Sequence, residues 1–214
     1  VIIPAPYWVT YPEQVKFSDG IPVFIDTDDS TEFKITPEQL KAVITPKTKV
    51  LLLNTPSNPT GSVYTKEELT ALGKVLEGTD ILVFSDEMYE KIIYNGTKFT
   101  AAAEVSEDMY NRTVTINGLS KAVAMTGWRF GYIATCDAAL AKTLTKLQGQ
   151  VTSNINTMTQ YAAIPALNGD ADETIEMMRV EFEKRKNIAV KSFNEIKGLS
   201  TIDPDGAFYL FINI

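Results

Sequence analysis

The hydrophobic positions of the chain fall into short continuous runs, separated by longer segments in which apolar residues recur at helical spacing. Runs of three to five apolar residues bounded by turn signals have the length of buried strands. The alternation of such runs with helical segments is typical of a layered α/β domain with a mostly parallel sheet. The predicted strands are Val1–Ile3, Val23–Ile25, Val50–Asn54, Ile81–Ser85, Thr113–Asn117 and Gly131–Thr135.

Two of the intervening helices have recognisable start signals. Thr36 precedes Pro37, which places a capping hydroxyl before a proline at the first helical position. Thr65 and Glu68 form a capping-box pattern that opens a helix through about Leu76, with Gly78 as its stop. Both helices lie where a crossover between parallel strands requires them.

The longest predicted helix runs from Glu173 to about Lys197, with Glu181 and Arg185 paired on one face and Gly198 after its end. Its apolar face consists of Ile175, Met178, Phe182, Ala189, Phe193 and Ile196. A helix of this length can run between domains. We therefore expect a large domain over residues 1–172, an interdomain helix over 173–198 and the start of a small domain over 199–214.

Both ends of the chain lie in strand-like runs, at Val1–Ile3 and at Tyr209–Ile214. We therefore expect the sequence to be part of a longer protein. The stretch 147–169 contains no charged residue but is rich in Gln, Ser, Thr and Asn. It is either a well-packed helix start with polar caps, or a surface buried against a second subunit or lining a site.

The composition of the chain excludes several classes of function. With 20 Lys and Arg against 27 Asp and Glu, the formal net charge is −7, which argues against a general nucleic-acid binder. Cys136 is the single cysteine, so the chain can form no internal disulfide, and we expect a reducing, cytoplasmic setting. The absence of histidine excludes Ser-His-Asp and Cys-His triads and most zinc chemistry. No apolar stretch approaches the roughly 18 residues that predict a membrane span, so no membrane partner is expected.

Chemically distinctive side chains follow four of the predicted strands. In open α/β sheets, ligands bind at the carboxyl ends of the strands. Counting only the residues that follow each strand gives an aromatic ring, an amide, a carboxylate, a phenol, a hydroxyl and an amine: Trp8, Asn58, Asp86, Tyr89, Ser120 and Lys121. This set suits a flat, charged, heteroaromatic cofactor better than a hydrolytic site.

Five ordered motifs make the sequence resemble the pyridoxal-phosphate-dependent aminotransferases of class I/II (fold type I), most of all the bacterial aspartate aminotransferases. The motifs are Pro6-Tyr-Trp8 with Tyr11-Pro-Glu, Asn58-Pro-Thr-Gly61, Ser85-Asp86-Glu-Met-Tyr89, Ser120-Lys121 and Thr126-Gly-Trp-Arg129-Phe-Gly-Tyr132. The resemblance covers essentially the whole chain. It implies a three-layer α/β/α large domain with a mixed, mostly parallel sheet and a homodimer.

The resemblance assigns the central chemistry to three residues. Lys121 forms the internal aldimine with the pyridoxal 5'-phosphate aldehyde and shuttles the α-proton of the substrate. Asp86 pairs with the pyridine nitrogen, which makes the ring an electron sink. Tyr89 hydrogen-bonds the ring oxygen. The alternatives are a solvated surface lysine for Lys121 and a helix cap for Asp86.

The resemblance implies that the remaining site residues hold the cofactor and the substrate. Asn58 shares the ring oxygen and contacts the substrate carboxylate, although an Asn-Pro turn is the simpler interpretation; the Asn58–Pro59 bond is expected to be cis. Trp8 stacks on the ring, where it also meets the substrate, unless it is a core aromatic. Arg129 grips the phosphate with help from Ser120, unless it forms a surface ion pair.

The implied reaction transfers an amino group between an L-amino acid, aspartate first among them, and a 2-oxo acid. The family's phosphate loop and substrate-binding arginine lie outside this sequence, so we expect the fragment alone to be impaired. The family often has Ser or Thr three residues before the lysine, where this chain has Gly118.

Two alternatives to a transaminase remain: another fold-type-I enzyme (a C–S lyase or synthase), or a catalytically silent cofactor-binding or regulatory domain. A nucleotide-binding module lacks its glycine motif here.

Overall fold

The computed structural model describes residues 1–214 and contains one six-stranded sheet in the order β2-β1-β3-β4-β5-β6. All neighbours are parallel except β6, which runs antiparallel to β5. All six predicted strands are present, with ends displaced by at most two residues. The strands are β1 (Ile2–Ala5), β2 (Val23–Asp26), β3 (Val50–Asn54), β4 (Leu82–Asp86), β5 (Thr113–Gly118) and β6 (Gly131–Ala134).

The chain contains seven α-helices, and the start signals predicted for two of them are present. Thr36 and Gln39 form a reciprocal capping box, and Thr65 and Glu68 form another. Gly78 follows the second of these helices with a left-handed φ of 74°. The helices are α1 (Thr10–Phe17), α2 (Pro37–Val43), α3 (Lys66–Leu76), α4 (Glu107–Arg112), α5 (Ala138–Val151), α6 (Thr157–Leu167) and α7 (Asp172–Asn194).

Successive residues of the central strands pack into two separate cores, which confirms the layered architecture. Leu51 and Leu53 of β3 join the larger core, which includes residues of α2, α3 and α4. Leu52, between them, joins a smaller core with Tyr11 and Val15 of α1. Because side chains alternate across a strand, helices on both faces shield the central strands from water.

The long helix α7 is confirmed, although it begins one residue before the predicted start and ends at Asn194 rather than near Lys197. Glu181 and Arg185 form the expected pair at 3.0 Å. Of the predicted apolar face, Ile175 is buried, whereas Ile196 lies beyond the helix and is 51% exposed.

The strand expected in the last six residues is wrong. Residues 209–214 join no ladder, and Ser200 and Asn213 form only an isolated bridge. The preceding segment bonds to loops rather than to a strand: the Tyr94 amide donates to the Asp205 carbonyl at 2.8 Å, and the Ala207 amide to the Ile92 carbonyl at 2.9 Å. An apolar run with β propensity forms a strand only where a partner strand is available.

The charge-free stretch 147–169 spans the end of α5 and all of α6. Its large apolar side chains are exposed, which contradicts the interpretation as a well-packed helix start and leaves the contact-surface interpretation open. The exposed fractions are 60% for Leu147, 68% for Val151, 77% for Met158, 71% for Tyr161, 51% for Ile164 and 54% for Leu167. None of the helices is both long enough and apolar enough to span a bilayer.

Candidate active site

All seven predicted site residues line one cavity of about 340 Å³ at the carboxyl ends of β3, β4 and β5. The register explains the convergence, because Asn54 at the end of β3 pairs with Asp86 at the end of β4. This volume is within the range of small-molecule sites. The predicted residues around the cavity are Trp8, Asn58, Asp86, Tyr89, Ser120, Lys121 and Arg129.

The Asp86 carboxylate is held at both oxygens. The Tyr11 hydroxyl donates to Oδ2 at 2.7 Å, and the Met88 amide donates to Oδ1 at 3.2 Å. The hydrogen bond from the Met88 amide is the local turn contact that the helix-cap alternative for Asp86 predicts. Only one of the two carboxylate oxygens therefore serves the turn. Burial raises the pKa of Asp86, while the hydrogen bonds from Tyr11 and Met88 act to lower it. The side chain is thus a partly buried carboxylate of fixed orientation.

Lys121 lies three residues after the end of β5, with its ammonium beside aromatic rings. Its Nζ lies 5.6 Å from the centre of the Phe208 ring and 5.9 Å from that of Tyr89. The lysine nitrogen therefore lies among aromatic groups in a partly desolvated place. The half-buried position disfavours the alternative of a solvated surface lysine.

Gly118, the departure noted upstream of the lysine, has a steric reason. A Cβ at this position would lie 2.6 Å from the Phe130 carbonyl oxygen and 3.0 Å from the Gly131 Cα. Gly118 pairs with Gly131 across β5 and β6, so the two backbones approach closely here. A serine or threonine would require β6 to move.

Tyr89 is 4% exposed, and its hydroxyl lies 2.6 Å from the hydroxyl of Tyr209. Burial is the main cause that raises the pKa of Tyr89 well above its ordinary value. The phenol therefore stays protonated and can donate a hydrogen bond into the cavity.

Asn58 and Trp8 enter the cavity from two loops. The backbone amide of Asn58 donates to the Asn54 side-chain oxygen at 2.7 Å, and the Asn58–Pro59 peptide bond is cis, as expected. Trp8 is 40% exposed and lies edge-on to Tyr11, with ring centres 5.3 Å apart. This exposure contradicts the alternative of a core aromatic.

Arg129 and Ser120 form the far side of the cavity. Arg129 is exposed and lies within 4 Å of no carboxylate, so the surface ion-pair alternative is wrong. Its Nη1 donates to the Thr126 carbonyl at 2.9 Å, and the Thr126 hydroxyl donates to the Ser120 carbonyl at 2.7 Å. A guanidinium without a carboxylate partner is suited to an anionic ligand.

Sequence reasoning gave no role to five residues that line the cavity: Tyr11, Asn54, Met88, Thr126 and Tyr209. Tyr11 stood within a quoted motif, but nothing in its spacing indicated a bond to Asp86, 75 positions away. Tyr209 contacts Tyr89 across 120 positions, and Asn54 donates to the Asp86 backbone carbonyl at 3.0 Å. Of Tyr11, Tyr209 and Asn54, only Asn54, the last residue of a predicted strand, carried a signal that could have identified it.

Comparison with known proteins decides the family. The family model described as aminotransferase class I and II matches residues 1–214. The chain belongs to this family. The resemblance drawn from the five motifs is confirmed, and so is pyridoxal phosphate, the cofactor on which class I and II aminotransferases depend.

Curated relatives and solved structures agree with this assignment. The chain is 50% identical to an aspartate aminotransferase of Geobacillus stearothermophilus and 47% identical to an asparagine–oxo-acid transaminase of Streptococcus mutans, with 100% of the chain and 54% of each relative covered. It superposes on 52% of the aspartate aminotransferase of Rhizobium meliloti, with 99% of the chain covered, a TM-score of 0.95 and 41% identity. The predicted fold class is confirmed. The chain spans about half the length of these relatives.

The residues of this aminotransferase cavity fit pyridoxal phosphate on their own chemistry. A carboxylate of fixed orientation, an amine beside aromatic rings and a guanidinium without a carboxylate partner line one volume. They match, in turn, a protonated pyridine nitrogen, an aldehyde carbon and a phosphate. The individual roles of the seven residues stay predictions.

Glu87, next to Asp86, is a buried carboxyl outside the cavity. It is 1% exposed, and its Oε1 accepts from the Ser85 hydroxyl at 2.7 Å and from the Ala102 amide at 3.0 Å. Burial is the main cause that raises the pKa of Glu87 from 4.5 to about 7, and the carboxylates of Glu90 and Glu104 add to it.

We expect the stability of the protein to fall between about pH 4.5 and pH 7 on account of Glu87. The folded state holds this proton where the unfolded chain has lost it, so the contribution is complete below pH 4.5 and lost above about pH 7. Glu87→Gln stays uncharged, so we expect it to exceed the wild type in unfolding free energy by up to about 3 kcal/mol at pH 8. Urea unfolding at pH 4.5 and pH 8 measures this. The exposed Glu77→Gln is the matched control, and an equal pH dependence in wild type and Glu87→Gln would contradict the expectation.

Proposed function

We propose that the protein to which this chain belongs is a pyridoxal-phosphate-dependent transaminase that exchanges an amino group between an L-amino acid, aspartate first, and a 2-oxo acid. The observation that carries the proposal is that Asp86, Lys121 and Arg129 line a single cavity. The names of the relatives support the same reaction class.

The central residues divide the work at the reacting centre. When bound, pyridoxal phosphate supplies an aldehyde carbon and an electron-withdrawing ring. The Lys121 amine would hold the cofactor through that carbon, with the aldehyde oxygen leaving as water. Once displaced by the substrate amine, it would take the proton from the α-carbon of the amino acid and pass it to the carbon that bore the aldehyde oxygen; with the 2-oxo acid it would move a proton in the opposite direction. The Asp86 carboxylate accepts a hydrogen bond from the ring nitrogen and holds its proton. The Tyr89 hydroxyl donates to the ring oxygen.

The peripheral residues bind and orient. Arg129 and Ser120 hold the phosphate, with the guanidinium supplying two donors in one plane. Trp8 covers one face of the ring and excludes water from it. Asn58 donates from its side-chain amide to the ring oxygen and to the substrate carboxylate.

Single-turnover spectroscopy on the whole protein tests the function. The cofactor-loaded protein is mixed with one amino acid at a time, without a 2-oxo acid, using aspartate, asparagine, alanine and phenylalanine. We expect aspartate to give the fastest loss of the aldehyde-form absorbance, with one oxaloacetate released per site. Amino acids other than aspartate are tested because some relatives have other names, such as asparagine–oxo-acid transaminase and aspartate/prephenate aminotransferase.

The same experiment separates the alternatives. A C–S lyase or synthase releases ammonia or exchanges a side-chain group catalytically and leaves the cofactor in its aldehyde form. A silent cofactor-binding domain gives no change with any amino acid. Either result would overturn the proposed transamination, whereas a faster reaction with another amino acid would overturn only the choice of aspartate.

We also propose that the whole protein is a homodimer. The exposed apolar side chains of the charge-free stretch 147–169 support a contact there, since interface centres are depleted in charge. We expect slow hydrogen exchange throughout 147–169 in the intact oligomer, and rapid exchange along the whole stretch would contradict the contact.

The division into a large domain over 1–172, an interdomain helix over 173–198 and the start of a small domain over 199–214 is part of the same proposal. Helix α7 supports it by its length of 23 residues. The cytoplasmic setting stays a prediction.

A further inference from the structure

The segment 204–209 is held against the cavity by backbone hydrogen bonds on two sides. The Gly206 amide donates to the Gly61 carbonyl at 2.9 Å, and the Ala207 amide donates to the Ile92 carbonyl at 2.9 Å. One side is the loop after β3, and the other is the chain that follows Tyr89. The segment therefore has a fixed path relative to both.

Two glycines allow this close approach. A Cβ at Gly61, where φ is +73°, would lie 2.5 Å from the Pro204 Cβ. A Cβ at Gly206 would lie 2.7 Å from the Pro56 Cβ. Real Cβ atoms do not approach this closely, so only glycine at these two positions lets the segment pack against the loop after β3. This close packing, together with the backbone hydrogen bonds, sets the position of residue 209 at the end of the segment.

The fixed path brings Tyr209 to Tyr89. The two hydroxyl oxygens are 2.6 Å apart, and the ring centres are 5.6 Å apart at an angle of 79°. Tyr209 lines the same cavity as Asp86 and Lys121. The ring of its neighbour Phe208 lies 5.3 Å from the Tyr89 ring and 5.6 Å from the Lys121 ammonium.

We propose that Tyr209 is a positioning residue that acts through Tyr89 by donating its hydroxyl hydrogen to the Tyr89 oxygen. A phenol has one hydrogen to donate and can also accept. With Tyr209 as donor, the Tyr89 hydrogen is free for the ring oxygen of the cofactor, and the two bonds in series strengthen each other. The inference rests on the proposed function, because it needs a cofactor oxygen facing Tyr89.

Loss of the Tyr209 hydroxyl has a defined spectroscopic consequence. Without it, the hydrogen bond from Tyr89 to the ring oxygen weakens, so that oxygen becomes a stronger base. The midpoint of the pH-dependent change in cofactor absorbance then rises. The loss of one hydrogen bond of ordinary strength corresponds to a rise of about 0.7 pH unit, a factor of about five.

The test titrates the absorbance of the whole, cofactor-loaded protein against pH for three variants. We expect the midpoint to rise in Tyr209→Phe relative to the wild type. Because Tyr209 acts through Tyr89, we expect the Tyr89→Phe/Tyr209→Phe double variant to have the same midpoint as Tyr89→Phe alone. The matched control is Tyr64→Phe, which removes the hydroxyl of a buried phenol that accepts from the Ile35 amide. This control is expected to leave the midpoint unchanged.

A second variant keeps the test decisive if Tyr209→Phe folds poorly. A 3-fluorotyrosine at position 209 keeps the ring and has a more acidic, stronger donor, so it is expected to lower the midpoint. An unchanged midpoint in both Tyr209 variants, or a further shift on removing the Tyr209 hydroxyl from Tyr89→Phe, would overturn the inference alone. A wild-type protein that shows no cofactor absorbance band would overturn the proposed function and this inference with it.

Discussion

A Lys121→Ala variant of the whole protein is expected to lose transaminase activity by a factor of at least about 10⁴. The amine is predicted to serve both as the nucleophile toward the cofactor aldehyde and as the group that moves the α-proton, and neighbouring side chains cannot replace it. Single-turnover absorbance with aspartate measures the loss.

The matched control for this variant is Lys98→Ala. Lys98 is exposed and outside the cavity, so its removal changes the net charge equally and is expected to leave the rate unchanged. Transamination at the wild-type rate by a folded Lys121→Ala protein would contradict the assigned mechanism.

Asp86→Asn is expected to lower kcat/KM by about a thousandfold, equivalent to roughly 4 kcal/mol. The amide keeps the shape of the side chain but removes the negative charge that holds the proton on the ring nitrogen. Steady-state kinetics measure the loss. A cofactor methylated on the ring nitrogen carries a permanent positive charge, so we expect it to restore part of the rate in Asp86→Asn only.

Tyr11→Phe separates the charge of Asp86 from its orientation. This variant keeps the carboxylate and removes the 2.7 Å hydrogen bond to Oδ2, so we expect a smaller loss, about tenfold to a hundredfold. A rate in Asp86→Asn within tenfold of wild type would show that the carboxylate does not act on the ring nitrogen.

The sheet could be predicted from the sequence because most of its strands are buried. A run such as Val50–Asn54 packs alternate residues into different cores, so it has to be apolar at nearly every position. The run 209–214 has the same appearance but no partner strand, and the pattern cannot report that difference. Whether an apolar run joins a sheet depends on distant parts of the chain.

The site divides in the same way. Asp86 and Lys121 could be predicted because each stands at or shortly after the end of a strand, in a short local motif. Tyr11 and Tyr209 could not, because their roles exist only through contacts across 75 and 120 positions. The glycines at 61 and 206 share this property, since what they make room for lies far away in sequence.

Covalent labelling with borohydride tests the central claim most directly. The reductant converts the bond between an amine and the cofactor aldehyde into a stable secondary amine. Because trypsin does not cleave at a modified lysine, the account predicts the label on a single peptide spanning residues 113–129, which lies between Arg112 and Arg129 and contains only Lys121 as an amine side chain. A label on any other peptide, or on none, would contradict the account.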